Sequence, residues 1–144
     1  MTDQIVVADA DALIALTLEN DPNHGKAIRL ASLFAKKNVE VVFPATVFPE
    51  AITSLVRAAN QPQKAHLINQ QLQQGSFQID YPENETLIRA SQIFENSRSK
   101  QNTFFDAIIV ATAEKLNTKT IFSFDNWYSK LGFISGVNLL PPAT

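Results

Sequence analysis

Hydrophobic positions change period repeatedly along the chain, and each change marks a predicted element. Ile5 to Val7 is a short β-branched run that reads as a buried strand, without the alternation of a half-exposed one. Ala12, Leu13, Ala15, Leu16 and Leu18 follow at helical spacing, so a strand-to-helix junction falls at Asp9-Ala10-Asp11. Asp21 and Pro22 supply a cap and a first-turn proline for a helix to about Lys37, with Ala27, Leu30, Ala31 and Phe34 on one stripe. Val39 to Phe43 predicts a second strand ended by Pro44. Thr46 then caps a helix whose Val47, Phe48, Ala51, Ile52, Leu55, Val56 and Ala59 form a broad apolar face, flanked by Glu50. A break from Asn60 to Pro62 opens another helix, which Gly75 terminates from a left-handed conformation.

Beyond Gly75, Phe77 to Tyr81 predicts a short strand, Glu83 to Asn96 a helix, and Ser97 to Asn102 a polar surface loop. Thr103 caps a helix over Phe104 to Leu116, Thr120 to Phe124 is a strand, and Trp127 to Leu131 a helical turn. Val137 to Leu140 adds a last edge strand before Pro141 and Pro142 stop it. Strands alternating with helices predict the α/β class, a three-layer α/β/α sandwich with a central, mainly parallel sheet. No repeat, linker or low-complexity tract interrupts residues 1–144, which are expected to form a single domain.

Composition narrows the chemistry. Hydrophobic residues at 45% and charged residues at 18% exclude general disorder. Twelve Lys and Arg against fourteen Asp and Glu give a formal charge of −2, so no global basic field holds a polyanion. Nucleic-acid contact then requires a local patch, a metal or a partner. The absence of Cys excludes disulfides, thiolate nucleophiles, sulfur-ligated zinc and iron–sulfur centres. His24 and His66 are too few for a three-histidine site. Met1-Thr2-Asp3-Gln4 lacks the positive region of a signal peptide, and no run reaches the roughly 18 apolar residues of a membrane span. A soluble protein of the cytoplasm, without a membrane partner, is the expectation.

In doubly wound sheets, ligands bind beyond the carboxyl ends of the strands. Those ends carry Asp9 and Asp11 after strand one and Asp125 after the strand containing Ile121. Glu50 lies early in the helix after strand two, and Asp106 in the first turn of the helix preceding the Asp125 strand. Each acid also has a structural reading. Asp11 can cap the Ala12 helix, Thr103 to Asp106 has the spacing of a capping box, and Asp125-Asn126 can be a turn. Asp9 is harder to explain by structure alone, because a lone ionised carboxylate at a buried strand end costs several kcal/mol, on the order seen for unpaired buried charges.

If the acids converge, repulsion raises some of their pKa values or demands cations. Arg57, Arg98 and Lys100 are the sparse basic residues near them in sequence. The economical counterion is a divalent metal on oxygen ligands, magnesium or manganese in preference to zinc. Such a centre suits phosphodiester hydrolysis, since one metal orients and acidifies water while a second stabilises the leaving oxygen. Rival templates fail: there is no GxxxxGK[ST] or GxGxxG loop and no GxSxG elbow. Asp9-Ala10-Asp11 superficially matches the opening of haloacid-dehalogenase-type phosphatases, but Ala12 and Leu13 follow where an apolar residue and Thr are usual, and a later acidic pair is missing.

As a whole the chain resembles a PIN domain, particularly the toxin ribonucleases of the VapC type. VVADADALIALTLENDPNHGKA resembles the opening strand, first Asp and following helix, with Asp9 at that acid and Asp11 where Ser, Thr or Asn is more frequent. PATVFPEAITSLVRA resembles the second block, with Glu50 as its Glu. FFDAIIVATAEKLNTKTIFSFDNWYSKLGF resembles the remaining blocks, with Asp106 before the Ala-rich helix and Ser123-Phe124-Asp125 at the final Thr/Ser-x-Asp. The resemblance implies a PIN-like fold and a magnesium- or manganese-dependent endoribonuclease. Asp9, Glu50, Asp106 and Asp125 would then be the catalytic, metal-binding acids, with Asp11 and Ser123 supporting them. It further implies an RNA substrate, a homodimer and, for many relatives, a cognate antitoxin protein. The dimer is expected to use the apolar faces of the Pro62 to Gln74 and Ala27 to Phe34 helices. The alternative is a non-catalytic PIN-like module that binds RNA or protein through the same groove.

Overall fold

The computed structural model describes residues 3–98 and 101–140. Five strands form one all-parallel sheet: β1 (Ile5–Ala8), β2 (Glu40–Pro44), β3 (Gln78–Asp80), β4 (Thr120–Phe122) and β5 (Ile134–Ser135). Their spatial order is β3-β2-β1-β4-β5. The chain builds outward from β1 through β2 to β3, then crosses back to lay β4 on the other side of β1. The gap between the carboxyl ends of β1 and β4 is therefore the topological switch point, where an open crevice is left.

Parallel pairing requires a crossover between successive strands, and helices supply most of these connections. They are α1 (Ala10–Thr17), α2 (His24–Lys36), α3 (Val47–Arg57), α4 (Pro62–Gln73), α5 (Asn84–Asn96), α6 (Phe104–Lys115) and α7 (Trp127–Lys130). α6 packs on β1 and β2 with α5 against it, while α2 packs on β2 and α1, making the three-layer α/β/α arrangement expected from the alternation of elements. Val6, Val7 and Ala8 are fully buried, which is why β1 carries no polar alternation. Gly75 takes φ +73 just beyond α4, as the sequence predicts.

Several boundaries differ from the sequence reading. α2 starts at His24, because Asp21 closes a turn instead of capping a helix, accepting the Asn23 N–H at 2.8 Å. β4 stops at Phe122, since Asp11 takes the Phe124 N–H and the Ser123 hydroxyl takes the Asp125 N–H that would continue a ladder. The last strand is Ile134–Ser135, not Val137 to Leu140. Gly136–Leu139 is a 3-10 turn, and Pro141 and Pro142 lie outside the described residues. Ala27, Leu30, Phe34, Ala65 and Ile68 are buried within the chain, so the two helix faces expected to pair between copies are already covered. The large apolar side chains left exposed include Leu87, Ile88 and Phe94 on α5 and Phe104 and Phe105 at the start of α6. Among the described residues, no helix is long and apolar enough to cross a membrane.

Candidate active site

Asp9 stands where β1 becomes α1. Its backbone N–H still pairs with Phe122 of β4 at 3.0 Å, while its carboxylate accepts the Ala10 N–H at 2.7 Å as the cap of α1. Asp11, in the first turn of α1, reaches across the switch point. Its Oδ2 accepts the Ser123 hydroxyl at 3.0 Å and the Phe124 N–H at 2.9 Å. Asp106 is the N3 residue of α6, where the capping box read from Thr103 to Asp106 forms: Asp106 Oδ2 accepts the Thr103 N–H at 2.9 Å. Asp125 opens α7 by accepting the Trp127 N–H at 2.9 Å. Glu50 projects from the first turn of α3.

These five carboxylates line a single cavity of about 290 Å³, walled also by Ala10, Ile14, Ser54, Gln101 and Thr103. The structural and site readings of Asp106 and Asp125 thus coexist, because each cap or turn bond uses part of a carboxylate whose side chain borders the cavity. Asp11, by contrast, does not cap the Ala12 helix, since Asp9 takes that place and Asp11 bonds across to Ser123 and Phe124. No lysine or arginine lines it among the described residues. A larger, apolar cavity of about 620 Å³ beside β3 has no acid in its lining.

Crowding and burial act on the acids together. Burial, followed by the neighbouring Asp11 charge, raises Asp9 well above the usual carboxylate range. Burial likewise pushes Asp11 up to about 6, against the lowering effect of its hydrogen bonds to Phe124 and Ser123. Glu50 is pushed up to about 7, by burial first and then by the charges of Asp106 and Asp11.

Neutral donors stand between the acids. The Asn102 amide donates to Asp125 Oδ2 at 2.9 Å and to Asp106 Oδ2 at 3.3 Å. The Tyr128 hydroxyl lies 2.6 Å from Asp9 Oδ2 and 3.3 Å from Asp106 Oδ1. Ser123 lies between Asp9 and Asp11, at 3.5 and 3.0 Å. Neither Asn102 nor Tyr128 is marked as a site residue by the sequence reading, which assigns one to a loop and the other to a helical turn. Polar residue type was the only available signal, and it does not reveal which carboxylates a side chain will meet.

As donors, the residues suit a hard divalent cation: every carboxyl group offers oxygen, and Asp11 Oδ1 is buried without a hydrogen-bond partner. Among the described residues, however, no three acids or histidines are gathered closely enough to hold a metal ion as the side chains stand. The arrangement is an acidic cavity whose aspartates are hydrogen-bonded to neutral groups.

Comparison with known proteins gives this geometry its family. No curated protein sequence matches the chain. Among solved structures, the fold is similar to VapC20 of Mycobacterium tuberculosis, described as a sarcin-ricin loop cleaving toxin, with TM-score 0.77 and 22% identity over 90% of this chain and 96% of that one. The PIN domain model matches residues 6–134, from the second residue of β1 to the first of β5, a span that includes all five acids. With that match across the whole acidic cavity, the chain belongs to the PIN domain family.

Proposed function

We propose that this protein is an endoribonuclease that hydrolyses RNA phosphodiester bonds with magnesium or manganese, and that it is the toxin of a toxin–antitoxin pair. The observation that carries the reading is the meeting of Asp9, Asp11, Glu50, Asp106 and Asp125 in one cavity at the switch point of a parallel sheet. Membership of the PIN family and likeness of fold to a toxin that cleaves the sarcin-ricin loop support it. Residues 1–144 act as one domain in this reading.

Asp9, Glu50, Asp106 and Asp125 hold the cation and form the catalytic acidic cluster. Asp11 and Ser123 support them by joining the start of α1 to the turn before α7. A bound divalent cation supplies Lewis acidity toward water and offsets negative charge at the phosphodiester. The chain itself supplies orientation: the Thr103 N–H and Asn102 amide fix Asp106, and the Trp127 N–H fixes Asp125. Burial of Asp9 limits the screening of the cluster by bulk water. An overall charge of −2 leaves RNA to be held by local contacts and the cation.

The proposed partners are RNA, a cognate antitoxin protein and a second copy of the chain, all in the cytoplasm. Leu87, Ile88, Phe94, Phe104 and Phe105 support the homodimer, as large apolar side chains left exposed on or beside the packed pair α5 and α6. A binding-only module is the second reading. It draws on the spacing of the acids, which among the described residues form no closed group of three.

The test is cleavage of a panel of structured and unstructured RNAs by purified protein, titrated with manganese or magnesium against chelator. Asp106→Asn keeps the size of the side chain and an acceptor oxygen for Thr103, but removes a charge. Metal-dependent cleavage by the wild type, reduced at least about tenfold in folded Asp106→Asn, is expected, equivalent to about 1.4 kcal/mol of transition-state stabilisation. Equal cleavage by the variant overturns the site assignment. RNA binding without metal-dependent hydrolysis across the panel favours the binding module.

A further inference from the structure

Tyr128 is fully buried, yet its hydroxyl ends at the acidic cavity. Its ring sits in the main core and meets Trp127 edge-on at 5.3 Å, while its backbone carbonyl accepts the Leu131 and Phe133 N–H groups that close the turn after α7. The ring is therefore fixed independently of the hydroxyl. A phenyl ring would fill the same space, so the oxygen's specific contribution lies in what it touches.

It touches two acids from different elements. The 2.6 Å contact to Asp9 Oδ2 has the length of a charge-assisted O–H···O bond, so the hydroxyl proton is donated there. The same oxygen stands 3.3 Å from Asp106 Oδ1, a weak contact by length. Asp9 Oδ2 and Asp106 Oδ1 consequently share one neutral oxygen as a neighbour. Without it, each carboxyl group would keep the cap hydrogen bond to its other oxygen, but the two would lose the one group that touches both.

We propose that Tyr128 is a positioning residue of the acidic cluster, whose hydroxyl sets the mutual placement of the Asp9 and Asp106 carboxylates. This rests on the reading of the cluster as a cation site and deepens it. Removal of a hydrogen-bond partner behind a metal-binding group commonly weakens metal affinity by about 10- to 100-fold.

The test uses Tyr128→Phe in the full chain, with Tyr81→Phe as a control at the exposed tyrosine outside the cluster. Manganese alone is the binding probe, followed by electron paramagnetic resonance. The 13Cγ resonances of the aspartates are recorded on metal-free protein. Tyr128→Phe is expected to melt within a few degrees of the wild type, bind manganese at least about tenfold more weakly, and move the Asp9 and Asp106 carboxyl resonances. Tyr81→Phe should change none of these. Unmoved Asp9 and Asp106 resonances, or manganese affinity equal to that of the wild type, overturn the proposal.

If the wild type binds no manganese while the two carboxyl resonances still respond, the cation-site reading fails and the positioning by Tyr128 stands. Should Tyr128→Phe not fold, Asp9→Asn in protein labelled at tyrosine 13Cζ gives the reciprocal measurement. Tyr128 should then shift and Tyr81 should not, and an unmoved Tyr128 signal overturns the proposal.

Discussion

Asp11 and Phe124, 113 positions apart, are joined by a 2.9 Å hydrogen bond from the Phe124 N–H to Asp11 Oδ2. The same oxygen accepts the Ser123 hydroxyl at 3.0 Å, and Ser123 in turn accepts the Asp125 N–H at 3.1 Å. A carboxylate at the start of α1 thereby shapes the turn that presents Asp125.

Truncation at Asp11 should expose that dependence. Asp11→Ala leaves a part-buried hydroxyl and a backbone N–H without their acceptor, at a cost of about 1–3 kcal/mol for each group left buried and unpaired. Asp11→Asn retains an acceptor oxygen and should lose less. Urea unfolding of both variants checks this, and an Asp11→Ala midpoint equal to that of the wild type would show that the link is not stabilising.

The raised carboxyls predict an inverted pH response in chelator. Glu50 is pushed from an ordinary value near 4.5 to about 7, and Asp11 from 3.8 to about 6. Their protonated forms favour the folded state, so the stabilisation is complete below about pH 4 and lost as pH rises through about 6 and 7. Between pH 5 and 8 the metal-free Tm should fall, less steeply in Glu50→Gln. Manganese favours the ionised acids, so it should raise Tm more at pH 8 than at pH 5. Thermal unfolding at several pH values tests both points, and identical slopes for wild type and Glu50→Gln contradict the first.

Asn102→Asp replaces the amide between Asp106 and Asp125 with a third carboxylate. Like charges at such distances oppose ionisation, so the variant should be less stable than the wild type in chelator at pH 8. The deficit should shrink with manganese or at pH 5. Loss of stability that is the same under all these conditions would point to lost packing instead of charge.

Self-association is checked by sedimentation at micromolar concentration, where about twice the monomer mass is expected. Ile88→Glu on the exposed face of α5 should yield folded monomer. A wild-type monomer at every concentration removes the homodimer reading, and an Ile88→Glu dimer moves the interface elsewhere.

Much of the architecture is legible in local pattern. The apolar run at Ile5 to Val7, the stripe at Ala27, Leu30 and Phe34, and the left-handed Gly75 each depend on neighbours a few residues away, and each takes the predicted form. The alternation of strands and helices is enough to demand a parallel sheet, and the ends of its strands point to Asp9, Asp11 and Asp125, with Glu50 and Asp106 in the first turns of helices. The ends of elements were less legible where a distant side chain competes for a backbone donor. Asp11 intercepts the Phe124 N–H, so β4 is shorter than its apolar run, and β4 pairs with Ile134–Ser135 instead of the later apolar segment. Burial of two helix faces likewise depended on neighbours that periodicity does not identify. Residue type and spacing mark the five acids as candidates near the sheet rim, and the strand order is what brings them to one cavity. Only the tertiary structure decided that Tyr128 and Asn102 stand between them, because contact distances across the switch point arise from strand order and ring packing, which short-range periodicity does not encode.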